Sequence, residues 1–395
     1  MEKLYRNFFL LSCFVFVSLN VFSQETDSLS VPTKVKKVDF NGYISELYIP
    51  MYSLETKKFQ NVGWLHSRLN FKWMPAENWE FATELRTRFI VQDFSAYSKE
   101  NLKAITQDAG WLNLGWNVAT GNYLLLTTSI ERLYAAYQTN KWSIKIGRQR
   151  INWSQSLVYN PNDIFNGYSF FDFDYPERQG SDAIRLSTYP TGTSVIELAA
   201  KLNYFGQLTI AGLYRFNTKG WDIQLLGGMV NKDDLMFGTG FSGDIKDVNL
   251  RGEFSYYYST VNMPELRNSY VASFGIDYVF KNSIMLAIEG LYNRLPKNHV
   301  ANFNTLYTVP MSPKDLSITD WTICAQISYP FIPILTGRFT TISFINLPAF
   351  YFGPSVDYSA LDNLTLSVMA QFFTESSKNQ LTNMFLGYLR LKYNF

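Results

Sequence analysis

Cysteine and histidine are almost absent: the 395 residues hold two of each. Structural zinc sites are built from clusters of those residue types, so this chain has little to make one from. Ser–His catalysis needs a histidine held by a third group beside an activated hydroxyl. His66 stands in an alternating segment beside Arg68, His299 falls in "KNHVANF", and no Gly-x-Ser-x-Gly occurs. The sequence therefore points away from an enzyme, and without a Walker-type loop no cofactor is expected. A formal charge of +2 argues against a nucleic-acid binder. Beyond the N-terminus, no stretch approaches the ~18 consecutive apolar residues of a membrane-spanning helix.

The one long apolar run stands at the start. Lys3 and Arg6 precede "FFLLSCFVFVSLNVF" and then "SQET", the order of regions in a secretory signal. Residues 1–23 are expected to be that signal, with 24–36 a short periplasmic segment and 37–395 a single β-domain. Cys13 would leave with the signal. Cys324 then remains alone, and no intramolecular disulfide is possible.

What the chain has in abundance is two-residue alternation. In "WEFATELRTRFIVQD" one face carries Trp79, Phe81, Thr83, Leu85, Thr87, Phe89 and Val91. The other carries Glu80, Glu84, Arg86, Arg88 and Gln92. "HSRLNFKW", "SVIELAAKLN", "VNLRGEFSYYY" and "NLTLSVMAQFF" repeat the pattern. Alternation alone does not separate a soluble sandwich from a membrane barrel. Segment length does: these run to roughly 10–15 residues, against ~5–6 for globular strands. Aromatic residues flank the apolar faces, and tight links such as "MPAEN", "TNK" and "TKG" alternate with long ones. In lipid a sheet must leave no edge. The spacing therefore predicts an all-β fold, a transmembrane antiparallel barrel of about 18 strands (16–18) with a polar lumen and long external loops. "WLNLGWNV" (111–118) is read as part of an external hairpin.

Sorted by phase, the inward basic residues are Arg68, Lys72, Arg86, Arg88, Arg132, Lys145, Arg185, Arg251, Arg338 and Arg390, with fewer acids, Glu84, Glu197, Glu253, Asp277, Glu289 and Asp357 among them. Such a lumen leans basic, which favours anions. The bland reading is that inward Arg–Glu pairs bridge neighbouring strands and fill space.

"GRQRINWSQ" breaks the phase, because period two from Lys145 sends Arg148 and Arg150 toward lipid. A one-residue bulge at Gly147 would turn both inward and leave Ile151 and Trp153 outward, Trp153 at the external interface. The segment that follows, 154–180, exceeds the ~12–15 residues of an ordinary loop. It is expected to fold into the lumen, with Asp163, Asp172, Asp174 and Glu177 facing arginines across a constriction; lining an outer vestibule is the alternative.

"IGRQRINWSQSLVYNPNDIF…DYPERQGSDAIRLSTYP" resembles outer-membrane barrels of the alginate-export-like and related porin groups. The resemblance rests on Gly147, Arg148, Gln149, Trp153, Asn160, Pro161, Asp163 and Arg185, over roughly residues 130–200; Ser154 stands where Gly is often seen. It implies a monomeric barrel of eighteen strands passing an anionic or polar solute. "LRLKYNF", ending on Phe395, is similar to the C-terminal signal of such barrels, which the barrel-assembly machinery reads. The expected function is an outer-membrane channel, placed in the lipid bilayer after Sec-type export, for small polar and above all anionic solutes. The alternative is a non-transporting scaffold for surface assembly or adhesion. Residues 24–36 are too few for the plug of an energy-coupled transporter.

Overall fold

A strand that is apolar on one face only has to place that face somewhere, and here every strand places it outward. The computed structural model describes residues 37–53, 58–93, 108–167, 177–261, 268–294, 312–377 and 380–395. Strands β1 (Val38–Ser53), β2 (Lys58–Trp73) and β3 (Trp79–Gln92) come first, then the short β4 (Gly115–Thr120), β5 (Leu124–Gln138) and β6 (Trp142–Gln149). β7 (Ser181–Thr191), β8 (Ser194–Leu202), β9 (Leu208–Thr218), β10 (Trp221–Val230), β11 (Asp234–Ile245) and β12 (Val248–Ser259) follow. β13 (Asn268–Val279), β14 (Met285–Asn293), β15 (Trp321–Ile332) and β16 (Leu335–Ile345) lead to β17 (Ala349–Leu361), β18 (Leu364–Ser377) and β19 (Gln380–Asn394).

Eighteen of these strands form a closed antiparallel ring. β3 pairs directly with β5, and β19 returns to β1 with Leu47 opposite Arg390 and Tyr43 opposite Asn394. The seam ends on the last residue: the Gly42 N–H donates to the Phe395 carbonyl at 2.9 Å, and Phe395 N–H to Gly42 at 3.0 Å. β4 stands outside the count, pairing only with the first half of β5. It overlaps the hairpin expected at "WLNLGWNV", starting four residues and ending two residues later.

The links sort by end, as the alternation predicted. At the end holding both termini they are two to five residues long. Lys246 and Asp247 take φ of 49° and 69° there, a hairpin geometry that matches strand twist. At the opposite end lie the three long links, 93–114, 150–180 and 294–320.

The outer face is largely apolar, although Glu46 of β1 stands in its outward row opposite Leu65 and Leu391. Ile184, Leu198, Phe237 and Val368 are each more than half exposed, at 53%, 55%, 53% and 53%. An exposed apolar surface that encircles a protein is one that meets lipid, not water. Near the short-turn end a run of rings, Trp73, Phe81, Trp79, Tyr137 and Trp142, stands at 5.0–5.8 Å between centroids. That is the aromatic girdle of an interface. No helix among the described residues is long and apolar enough to cross a membrane.

Gly147 departs from strand geometry with φ +117°, and a Cβ there would stand 2.2 Å from the Leu133 carbonyl oxygen. Gly147→Ala should therefore lower the urea midpoint of unfolding in detergent micelles by about 1–3 kcal/mol equivalent. Gly192→Ala, where nothing lies within 4 Å, is the control and should leave the midpoint in place. Equal midpoints for the two variants would contradict this account of Gly147.

Candidate functional site

β6 is only eight residues long, and after Gln149 the chain leaves the wall and enters the lumen. Ile151 and Trp153 are 0% and 1% exposed there. With Val158, Tyr159, Ile164 and Phe165 they pack on inward side chains such as Ala199, Leu213, Leu226, Tyr257 and Leu291. The wall makes room by carrying small residues: a Cβ on Gly238 would fall 2.7 Å from Asn162 Oδ1, and one on Gly240 2.8 Å from Gln155 Oε1. This overturns the expected outward placement of Ile151 and Trp153. Period two was extended past the point where the strand stops.

A backbone inside a barrel needs hydrogen-bond partners as much as one in lipid. Two wall glutamates supply most of them. The Glu253 carboxylate accepts from the backbone N–H of Gln155, and from those of Ser156 at 2.8 Å and Asn162 at 2.9 Å. Glu289 accepts from Leu157, Val158 and Tyr159, at 3.1, 3.2 and 2.6 Å. Six consecutive or near-consecutive amides thus converge on two anions, bonds stronger than neutral ones. Trp153 Nε1 donates to Glu197 at 2.7 Å, Gln224 Nε2 to the Trp153 carbonyl at 3.0 Å, and Lys201 Nζ to the Phe165 carbonyl at 2.5 Å. Sequence reasoning placed Glu253 and Glu289 inward and missed this role. A signal existed: their ladder neighbours are Gly240 and Ser273, and Gly275 and Cys324, none of them a cation.

A second segment, 312–320, closes over the first. Leu316 and Ile318 join the same apolar cluster. Lys314 Nζ reaches across β12–β14 to Asp234 on β11 at 2.7 Å.

The phase problem at Arg148 is resolved differently from expectation. Register is unbroken across β6, with Gly147 opposite both Tyr134 and Ala183, so there is no bulge at Gly147. The irregularity is on β5, where Glu131 falls between the pairs Glu84–Arg132 and Leu85–Ile130. Arg148 stays in the row of Leu133 and Asp182, and residues 108–114 enclose it. Its guanidinium donates to Asp182 at 2.7 Å, Asp108 at 2.6 Å and the Leu112 carbonyl at 2.6 Å. The Leu112 N–H returns to Asp182 at 2.7 Å. Gly110 bridges Asn203 beyond the start of β7, so β4 and 108–110 fill the wall that β6 and β7 leave open. Arg148 seals the wall and does not line a pore.

The other expected residues divide into locked and open. Arg68, Arg86 and Arg132 are 2%, 5% and 5% exposed. Arg68 pairs with Glu84, Arg86 Nε meets His66 Nε2 at 3.1 Å, and Arg132 donates to the carbonyls of Glu131, Glu177 and Arg178 at 2.6–2.9 Å. Such enclosed groups, expected to line the pore, also brace the wall. Arg185 lies 4.0 Å from Glu197, Arg251 2.5 Å from Asp277, and Lys145 4.1 Å above the Tyr134 ring. Asp357 lies between Arg338 and Arg390. Arg88 stands in the inward row with His66 and Thr127. Among the described residues, Lys72 and Arg150 have no hydrogen bond or ion pair, and both are half-buried. Asp163 does not face an arginine across an opening; it is buried inside the folded segment at 1% exposure. Glu177 accepts from Tyr43 OH at 3.0 Å. Asp172 and Asp174 lie outside the described residues.

The eighteen-stranded ring is a porin-type barrel, and solved structures share that fold. The chain is similar to Pseudomonas aeruginosa OccK8 (OprE) with TM-score 0.60 and 9% identity, over 91% of this chain and 98% of that one. Against Acinetobacter baumannii OccAB1 the TM-score is 0.56 at 9% identity, covering 94% and 99%. Against P. aeruginosa OccK3 (OpdO) it is 0.56 at 11% identity, covering 91% and 96%. At such identities the likeness is one of fold. No family model and no curated protein matches the chain.

Replacing both anchors, Glu253→Gln with Glu289→Gln, keeps their shape and removes the charge that six amides bind. Chymotryptic cleavage at Tyr159 and Phe165 in the folded, micelle-bound protein should then rise at least about ten-fold, given ~1.5–3 kcal/mol for each charged hydrogen bond. Cleavage at the wild-type rate would show that apolar packing alone holds the segment.

Proposed function

We propose that this barrel is an outer-membrane channel for small polar solutes, anions in preference, narrowed by the 154–180 loop. The observation that carries the anion preference is the state of the lumen charges. Each inward carboxylate followed above is engaged by a donor or a cation, whereas Lys72 and Arg150 hold no such partner among the described residues. Positive charge held by no hydrogen bond or ion pair, between low-dielectric walls, raises the local concentration of anions. The fold shared with the Occ barrels supports a pore over a closed anchor.

The same reading includes export by the 1–23 signal, a periplasmic 24–36 segment and recognition of Phe395 by the barrel-assembly machinery. Kinship with the alginate-export-like group belongs here too, resting on the 147–185 motif alone.

Planar bilayers with a potassium chloride gradient test it. Discrete current steps are expected, with a reversal potential on the chloride side and a chloride-to-potassium permeability ratio of about 2–5. Reversal on the potassium side removes the anion preference. No steps at any voltage would favour the non-transporting scaffold.

A further inference from the structure

Between residues 150 and 167 the chain holds a single carboxylate, Asp163, and the anchoring of the segment does not use it. Its Oδ1 accepts the Asn166 N–H at 3.2 Å, and its Oδ2 is enclosed with no hydrogen-bond partner. Among the described residues, the charged groups that act on it include Arg150 after β6, Arg178 in the returning segment, Lys201 on β8 and the anion Glu253 on β12; the Tyr257 phenol, also on β12, is a further titratable group there. Lys201 is committed to the Phe165 carbonyl. Arg150 differs from the other two cations: its Nε is enclosed without an acceptor, and it has no hydrogen bond or ion pair among the described residues. It is the cation of this group left to meet a solute.

We infer that Asp163 is a specificity-determining residue of the passage: its negative charge, sealed from water beside Arg150, weakens the preference for anions, and its loss strengthens that preference. This rests on the reading of the chain as an anion-preferring channel. A charge in a dry interior is poorly screened, because mobile ions cannot gather around it. Its field therefore reaches the adjoining water-filled space and offsets that of Arg150. Burial pushes the Asp163 carboxyl up to about 6, against the Asn166 N–H and the three cations. As the pH falls through that value Asp163 gains a proton, its negative charge disappears, and Arg150 acts unopposed. The sign is fixed: acid strengthens anion preference, and alkali weakens it.

Reversal potentials of wild type, Asp163→Asn and Arg150→Gln at about pH 8 and about pH 5, with chloride as the probe anion, test this directly. At the higher pH, Asp163→Asn should raise the chloride-to-potassium permeability ratio roughly two-fold, and Arg150→Gln should lower it. At the lower pH, wild type should approach the Asp163→Asn value, while that variant changes little. Anion preference that is unaltered by Asp163→Asn, or that rises with acid equally in wild type and variant, overturns the inference and leaves the channel standing. Wild type alone also decides: a ratio that fails to rise between the two pH values overturns it, whether or not the variant folds. Absence of current from wild type overturns the channel reading and this inference with it.

Discussion

Peptide groups in hydrocarbon can hydrogen-bond only to one another, and that requirement shapes everything else in this protein. A sheet meets it by closing, and this one closes where β19 returns to β1 and the terminal Phe395 exchanges two hydrogen bonds with Gly42. Once the ring is closed, each strand has one face toward lipid and one toward the interior. From β3 to β19 the outward rows carry uncharged side chains, with one exception. Arg148 and Asp182 occupy that phase side by side, and residues 108–114 cover them. The Arg148 guanidinium is met there by the carboxylates of both Asp182 and Asp108, where an unpaired charge facing lipid would cost several kcal/mol.

A ring of eighteen strands is too wide for side chains to fill, so the interior poses a second problem of the same kind. The chain fills part of it with its own backbone, in residues 150–167 and 312–320. Dry backbone again needs partners, and now the wall provides them through Glu253, Glu289, Ser255 and Gln224. Together with Glu197 and Lys201 on β8, the anchors stand on β8–β14, so the inserted segment is held to one side of the lumen. Positioning of this sort is rigid, since it rests on backbone amides rather than on long flexible side chains.

The barrel was legible in the sequence because period two cannot be disguised when one face must be apolar over ten or more residues. Strand parity could be read for the same reason, whereas the expectation that the 154–180 loop turns inward rested on its length. What could not be read were contacts between distant segments. The phase break at Gly147 marked the right place, yet its remedy involves Asp108, forty residues earlier, and no local pattern points there. Trp153 was misplaced because alternation says nothing about where a strand ends. Glu253 and Glu289 were assigned inward but not as anchors, since their partners are amides 91 to 132 residues away. An inward acid flanked by glycine, serine or cysteine across the ladder is a readable hint that its partner lies elsewhere.

Spin labels placed singly along β17 at Ser355, Val356, Asp357 and Tyr358, in a Cys324→Ala background reconstituted in lipid, test the central claim most directly. Labels at positions 356 and 358 should show high collision rates with oxygen, which concentrates in acyl chains. Labels at 355 and 357 should respond to a water-soluble nickel complex. Equal access of the nickel complex at all four positions would mean that both faces of the strand meet water, and the barrel described here would not be a membrane-spanning one.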